Sequence, residues 1–578
     1  MRNQEIAKIF NDIADILEIR GDNPFRIRAY RRAAQNIDGL AKDVAEISVE
    51  ELQEIPGIGD DLAGKIQEYV KTGNLKFYDE LKKEVPSGLV DLLSVPGLGP
   101  KTAKLLLEKL HIKDIDDLEK HAKEGKLKGL PGIQARTEEN ILKGIAMIKR
   151  HPGRFPIGRV LPVAEGILGK LKEKAPVNKL SIAGSLRRWK DTIKDVDVLA
   201  TSKDPHKVMD VFVHLPQVKE VLMKGPTKSS LITNEGIQVD LRVVDEGSFG
   251  AALAYFTGSR EHNIRLREMA VKKGLKINEY GIFDVKTEKK LGGKNEGDVY
   301  KILDMSYIPP ELREDTGEIE AALEGRLPGL VEMGDIKGDL HVHTKSSDGS
   351  HDIQELIDAA KARGYEYLAI TDHSKGLAVA RGLSIDQVLE QNKKITALNK
   401  KLKGFKLLSG TEMDIKSDGS LDYSDEVLKQ LDIVVASIHS GFRQSKEQIT
   451  KRLVSAMKNP YVSIIAHPSG RLIGERDAYE IDMDEVLRTA KETGTAIEIN
   501  AYPLRLDLSD MYVKKAKEMG VSLAINTDTH VVYQFDFMAY GVGTARRGWL
   551  EKKDVLNSLR YAMLMKRLSE KTNKLRHI

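Results

Sequence analysis

The sequence predicts a multidomain α/β protein in three parts: a helical amino-terminal region, a mixed α/β middle, and a carboxy-terminal unit in which strands and helices alternate around a parallel sheet or barrel. Three observations predict this. The 578 residues exceed what a single hydrophobic core fills, so several domains are required. Helical periodicity runs to about Arg150 and is punctuated at Ile55–Gly59, Val95–Gly99 and Leu130–Gln134 by variants of one short Pro-Gly turn, an internal repeat. From Leu180 short β-branched runs appear (VDVLA, IQVDLRVV), and from Gly338 strand-like runs such as YLAIT, IVVAS, VSIIAH, AIEIN and SLAIN alternate with helical patterns such as IQELIDAAKARG.

Composition narrows the class. With 41% hydrophobic and 31% charged residues and no long apolar run, the chain reads as globular rather than disordered or membrane-spanning. Its first residues, MRNQEIAKIFNDIADILEIR, mix charge into an amphipathic pattern unlike a secretory signal, so a cytoplasmic location is expected. The absence of cysteine excludes disulfides and thiolate metal sites, leaving His, Asp and Glu for any transition metal. A net charge of +4 is too small to argue nucleic-acid affinity by itself. Ile141–Lys190 is locally basic and Glu311–Glu332 locally acidic, and solvated faces account for both. The polar, acidic stretch EIEAALEGRLPGLVE, within residues 316–335, reads as a connector.

A Pro-Gly-apolar-Gly turn leading into a helix lets backbone N–H groups approach a phosphate, because glycine has no Cβ and the helix N-terminus is partly positive. Two turns carry both glycines, Gly57 with Gly59 and Gly97 with Gly99; the third has Gly132 but Gln134 in the last position. The three resemble helix-hairpin-helix motifs, which grip DNA without reading bases. The third is the weaker grip.

In the middle region Asp195-Val196-Asp197 lies in a strand-like run, where alternation puts both carboxylates on one face. Asp240, in IQVDLRVV, is placed to join them from a neighbouring strand. Three carboxylates suit two hard cations such as Mg²⁺. Just upstream, Gly184-Ser185-Leu186-Arg187-Arg188 offers a small turn, a hydroxyl and guanidinium groups for phosphate oxygens.

With YFTGS at Tyr255–Ser259 and INEY at Ile277–Tyr280 following in order, almost all of residues 1–315 resembles the family X DNA polymerases. The resemblance implies a lyase-like helical domain at 1–80, a helical DNA-binding domain of fingers type at 81–150, a catalytic palm at 151–245 and a thumb-type nucleotide-binding subdomain at 246–315. It implies that Asp195, Asp197 and Asp240 hold Mg²⁺ or Mn²⁺, and that Arg154, Gly184, Ser185 and Arg188 form the triphosphate site. Tyr255 and Phe256 would border the sugar, with Gly258 in the adjoining turn and Asn263 reaching the minor-groove edge of the base. Gapped or primed DNA and deoxynucleoside triphosphates are the implied partners, and a nucleoid-associated monomer the implied form. Two residues depart from the family pattern: Gln238 stands where Arg is usual and Lys194 where Gly is common. Tyr30 and Lys65 match functional positions of the lyase-type domain. Lys65 is either a Schiff-base amine for abasic sugars or a phosphate-contacting or solvated lysine, and nearby Asp60 and Asp61 favour the charged form.

The carboxy-terminal part carries His341, His343, Asp348, His373, Glu412, His439, His467, Asp528 and His530, most of them just after strand-like runs. Imidazole with carboxylate and no thiol suits Zn²⁺, Mn²⁺ or Fe²⁺. The order HxHT, TDH, E, SIHS, AHP, D-x-H resembles the PHP domain across residues 336–570, and a PHP phosphoesterase domain is expected at 336–578 as a (β/α) barrel. By resemblance His341, His343, Glu412 and Asp528 hold one ion, Glu412 bridges to a second held by His439 and His467, and Asp348, His373 and His530 hold a third. The joint expectation is a gap-filling repair polymerase with a 3′-5′ exonuclease or 3′-end phosphoesterase, and abasic-site processing besides. A small-ester phosphatase anchored to DNA by the front half, or a non-catalytic DNA-end scaffold, are the alternatives. The intact carboxylates and the complete set of histidines count against each.

Overall fold

The structure is a computed structural model. It describes residues 2–38, 43–55, 57–84, 98–133 and 153–576, together with positions 92, 95, 137, 138, 141, 142 and 145; Gly97 and Gln134 lie outside the described residues. It divides into two compact units, one formed mainly by residues 1–152 and the other by most of residues 153–578. No helix among the described residues is long and apolar enough to cross a membrane.

Ile6, Phe10, Ile13 and Leu17, spaced at three and four residues, bury one face of the helix Arg2–Arg20. A tight turn at Gly21, φ +77°, leads to the helix Pro24–Asp38, which begins on a proline, where the missing N–H costs no hydrogen bond. One core runs through this unit and includes Phe10, Tyr30, Leu52, Ile66, Leu106 and Leu118. The three sequence repeats share one hydrogen bond: Ile58, Leu98 and Ile133 donate their N–H groups to the carbonyls of Ile55, Val95 and Leu130 at 3.0, 3.0 and 2.9 Å. Gly59 and Gly99 then cap the helices Asp60–Thr72 and Pro100–Leu110 in extended conformation.

In the second unit five strands, β1 (Lys179–Ile182), β2 (Asp195–Thr201), β3 (Val218–Lys224), β4 (Lys228–Thr233) and β5 (Gln238–Val243), form a sheet of order β1-β2-β5-β4-β3. Only β2 and β5 run parallel, and their register sets Asp197 opposite Asp240 and Asp195 opposite Gln238. Helices Phe249–Thr257 and Arg260–Lys272 follow, with an antiparallel sheet of β6 (Leu275–Asn278), β7 (Gly281–Asp284) and β8 (Lys290–Gly292).

Residues 316–335 are not the free connector that their acidity suggests. The helix Glu318–Leu323 buries Ile319 and Ala322 in the core that holds Leu266, Tyr300 and Leu312. The Glu318 carboxylate turns inward, accepting from the N–H groups of Asp315 and Thr316 and lying 2.7 Å from His262 Nδ1. Its charge is thereby used in packing, which composition does not show. Further on, Val331 donates its N–H to the Leu550 carbonyl at 2.9 Å.

The carboxy-terminal part is a sheet of seven parallel strands in sequence order: β9 (Gly338–Asp339), β10 (Tyr367–Ile370), β11 (Lys406–Asp414), β12 (Ile433–Ser437), β13 (Ile464–Ile465), β14 (Ala496–Asn500) and β15 (Leu523–Asn526). A parallel bridge between Val342 and Thr529, just beyond β9 and β15, brings the two edges together, so the sheet is a nearly closed barrel as expected. Leu340, Leu408, Val435, Ile464 and Ala524 share its core.

Candidate catalytic centres

Alternation along β2 buries Val196 and Val198 on one face and leaves Asp195 and Asp197 half-buried on the other, beside Asp240 of β5. Burial, then the like charges of Asp195 and Asp240, push the Asp197 carboxyl up to about 7. Crowded carboxylates of this kind, offering only oxygen donors, fit a hard divalent cation. Gly184 is required here: it holds φ +65°, and a Cβ on it would stand 2.6 Å from Asp197 Oδ2. Gln238, the departure from the family pattern, donates to Asp240 Oδ1 at 3.0 Å, and Lys228 on β4 places its amine 3.8 Å from Oδ2. Sequence reading missed Lys228. It puts a cation beside Asp240, where this chain lacks the arginine.

Gly184 opens the short helix Gly184–Arg187, which carries Ser185. The next residue, Arg188, donates to Glu314 Oε1 at 3.0 Å and to the Thr257 carbonyl, close to Gly258, where a Cβ would stand 3.1 Å from its guanidinium. Arg187 instead forms a two-pronged pair with Glu296, at 2.6 and 2.8 Å. Arg154 is tied to Thr192 through its side-chain oxygen and its carbonyl, at 3.1 and 2.5 Å. The rings of Tyr255 and Phe256 meet edge to face at 5.1 Å, and Asn263 donates to the Tyr255 carbonyl at 2.7 Å.

All nine histidine and carboxylate residues singled out from the sequence of the barrel converge at the downstream ends of its strands. Three groups offer donor atoms within 4.8 Å of one another: His341, His343, Glu412 and Asp528; His343, Asp348, His373 and His530; and His373, Glu412 and His439. The third group contains His373 where resemblance put His467. His467 Nε2 lies 3.0 Å from Glu412 Oε1, the oxygen that His439 Nε2 approaches at 3.1 Å. His341 Nε2, both ring nitrogens of His343, His373 Nδ1 and Glu412 Oε2 are buried without a hydrogen bond of ordinary geometry. Buried donor atoms crowded around a shared carboxylate, in ion-pair contact but without hydrogen bonds of ordinary geometry, fit a cluster of divalent ions. Burial would raise the Glu412 carboxyl, but the surrounding histidines outweigh it and hold it well below the usual range.

A supporting shell was not read from the sequence. Glu498, fully buried on β14, accepts from His341 Nδ1 at 2.8 Å, the His467 N–H at 2.8 Å, and the side-chain amides of Asn526 and Asn500 at 3.0 and 3.1 Å. With Nδ1 protonated toward Glu498, His341 presents Nε2 as a bare donor. Asp414 accepts the His439 backbone N–H at 3.3 Å and lies 3.5 Å from its Nδ1, which meets Ser437 Oγ at 3.3 Å. The available signal was a carboxylate set among apolar residues in AIEIN and another ending the run TEMD.

In the amino-terminal unit Gly57 and Gly132 have φ +89° and +82°, and among the described residues a Cβ at Gly59, Gly99 or Gly132 would meet nothing within 4 Å. Lys65 is paired with Asp61 and lies over the Phe77 ring at 5.0 Å; Tyr30 stacks on the same ring at 6.2 Å.

Comparison with known proteins agrees with these parts. Residues 1–75 match a helix-hairpin-helix domain, 89–146 a SAM-like helix-hairpin-helix tandem, 252–314 the DNA polymerase beta thumb and 339–502 the PHP domain. The DNA polymerase/3′-5′ exonuclease PolX of Bacillus subtilis (strain 168) is 42% identical over 560 residues, covering 96% of this chain and 98% of that protein. A probable phosphatase of Thermoanaerobacter sp. (strain X514) is 33% identical over 231 residues, 38% of this chain and 89% of that protein. Another, from Caldanaerobacter subterraneus subsp. tengcongensis, is 35% identical over 208 residues, 34% of this chain and 76% of that protein. A relative matched nearly end to end, a polymerase beta thumb and a PHP domain following in one sequence place this chain in the family X DNA polymerases that carry a PHP domain, the PolX family.

Proposed function

We propose that the chain fills short gaps in DNA at the Asp195–Asp197–Asp240 centre and removes nucleotides or blocking groups from 3′ ends at the barrel centre. The observation that carries this reading is that one compact unit holds two complete and separate donor sets, three carboxylates on the open sheet and nine ligand-type residues at the barrel mouth. Residues 1–80 and 81–150 would grip DNA, 151–245 serve as palm, 246–315 as thumb and 336–578 as phosphoesterase.

Mg²⁺ or Mn²⁺ at the carboxylates, and up to three of Mn²⁺, Zn²⁺ or Fe²⁺ in the barrel, would supply Lewis acidity, lowering the pKa of a primer hydroxyl at one centre and of a water at the other. The protein's own part follows from its geometry. Gly184 lets the turn bearing Ser185 and Arg188 come close to Asp197, so that hydroxyl and guanidinium orient a triphosphate over the carboxylates. Gln238 and Lys228 hold Asp240 in place. Tyr255 and Phe256 wall the sugar, while Asn263, held on the Tyr255 carbonyl here, must exchange that bond to reach a base edge. In the barrel Glu498 fixes the ring of His341, Asp414 holds the backbone N–H of His439, and His341, His343, His373, Glu412 and His467 are buried at the inner side of the donor set. Abasic-sugar processing at Lys65 requires its pair with Asp61 to open. The probable phosphatases that match the barrel favour a second reading of that centre alone, hydrolysis of small phosphate monoesters.

Two variants test the proposal on a gapped, 3′-labelled duplex. Asp195→Ala with Asp197→Ala is expected to lower primer extension by at least about a thousandfold and leave 3′ release intact. Glu412→Ala is expected to do the reverse. Extension surviving in the first variant would overturn the polymerase assignment; wild-type release of phosphate from small esters but not from 3′ ends would favour the second reading.

A further inference from the structure

The loop Arg188-Trp189-Lys190-Asp191, which follows the nucleotide-binding turn, rests against the barrel at three points. The ring of Trp189 seats on Gly543, where a Cβ would stand 2.6 Å from it, and meets Tyr540 edge to face at 6.1 Å. Asp191 pairs at 3.2 Å with Arg471, whose other donors are fixed on the Arg505 and Leu506 carbonyls at 2.7 and 2.5 Å. Arg547, at the end of the helix Met538–Arg547, donates to the Arg188 carbonyl at 2.8 Å and to Glu314 Oε1 at 2.9 Å. That same oxygen accepts from Arg188 Nε at 3.0 Å. Trp189 holds φ +55°, a conformation a bulky residue keeps only when its surroundings enforce it.

We propose that Arg547 is a positioning residue for nucleotide binding: the barrel, through Arg547 and Glu314, holds the Arg188 guanidinium and its backbone in the orientation that receives a triphosphate. The inference rests on the polymerase reading given above and adds to it a role for the barrel in the other centre's affinity. The chemistry suits the role. Arg547 is almost fully buried, is anchored from behind by Asp510 at 2.8 and 2.5 Å, and so presents a fixed fork rather than a mobile chain. Burial would raise the Glu314 carboxyl, but Arg547, then Arg188 and Lys190, hold it below the usual range, so it stays anionic between the two arginines. Without Arg547, Glu314 would keep Arg188 and, at 3.8 Å, Lys190 as its cations, and the nearer Arg188 guanidinium would be drawn toward it, away from phosphate. A neighbouring residue provides the control. Arg546, on the same helix, bonds Glu311 and the Val331 carbonyl at 2.7 and 3.1 Å and makes no contact with the loop.

The test is steady-state gap filling by the full chain with Mg²⁺ and one complementary deoxynucleoside triphosphate, alongside 3′ release and thermal unfolding. Arg547→Met is expected to raise KM for the nucleotide about tenfold with kcat within about twofold and 3′ release unchanged. Arg547→Lys, which keeps the charge and loses the fork, is expected to recover part of that loss. Arg546→Met is expected to keep the wild-type KM. Because Arg547 acts through Glu314, Arg547→Met combined with Glu314→Gln should cost less than the two single effects multiplied. An unchanged KM in Arg547→Met, an equal rise in Arg546→Met, or a fall in both activities together with Tm would overturn the inference. If Arg547→Met does not fold, Arg547→Lys and Glu314→Gln carry the same comparison. A wild-type chain that incorporates no nucleotide would overturn the polymerase reading instead, a result separate from all of these.

Discussion

The side chains that would do the chemistry are held by residues that do none. Glu498 is the clearest example, because a single carboxylate accepts four hydrogen bonds, two of them from His341 and the His467 backbone. Glu498→Gln keeps the volume but turns an N–H₂ group toward N–H donors, so at least one of those bonds becomes a repulsion. The expected outcome is a ten- to hundredfold loss of divalent-ion affinity, roughly the usual effect of removing an outer partner of a metal-binding histidine. Titrating Mn²⁺ into apo protein by calorimetry checks it, and an unchanged isotherm would show that His341 orients itself. Such partners are hard to read in sequence. The nine donors stood out because His and Asp recur just after apolar runs, whereas Glu498 lies inside one, at a position whose face only the closed barrel determines. Lys228 was missed for a related reason: its place beside Asp240 depends on the register of the β4–β5 hairpin, which sets Lys228 opposite Arg242, two residues from Asp240.

Among the elements, the amino-terminal turns were legible because their chemistry is local. A glycine at positive φ and another at a helix N-cap are written in the residues themselves, and the Ile55–Ile58, Val95–Leu98 and Leu130–Ile133 bonds repeat accordingly. The two glycines of the first turn are not equivalent. Gly57 is at φ +89° with Arg32 2.9 Å from a notional Cβ, so substitution there damages the turn; Gly59 is extended and faces open space. Gly59→Val is therefore expected to fold normally and to place a side chain between a phosphate and the helix N-terminus. Affinity for a gapped duplex should fall about three- to tenfold without altered Tm, as expected for loss of one or two phosphate contacts, and show a shallower dependence on salt. Anisotropy titrations over a salt series measure this, and wild-type affinity would reduce the turn to a structural joint. The helix Glu318–Leu323 was illegible for the opposite reason. Its acidic residues look solvated in sequence, yet Glu318 is committed to His262 and to the backbone of Asp315 and Thr316 just before the helix.

At the scale of the whole molecule the sequence separates two enzymes that the structure joins. The motif sets fall on either side of residues 316–335, and nothing in either half announces the other, because contacts such as Arg547 with Glu314 or Trp189 with Gly543 have no local pattern. The fit between the halves is close: a Cβ on Gly158, in the helix Ile157–Lys174, would stand 2.2 Å from Pro503 of the barrel. The segment leading into the barrel is itself pinned, by the Leu330–Glu551 bridge and by Arg546 on the Val331 carbonyl. Division after residue 335 thus exposes a packed surface rather than cutting a tether. Residues 1–335 keep Asp195, Asp197 and Asp240, so the fragment is expected to extend primers, but with the loop from Arg188 to Asp191 released from its supports. Its KM for nucleotide should exceed that of the full chain by at least about tenfold, in line with the loss of a buried charge pair and an aromatic contact. Supplying residues 336–578 as a separate chain should bring KM back toward the full-length value, at concentrations that also give a complex by sedimentation. A fragment with the full chain's KM would mean that the palm orders its own nucleotide site, and that the tight contact with the barrel serves only the barrel.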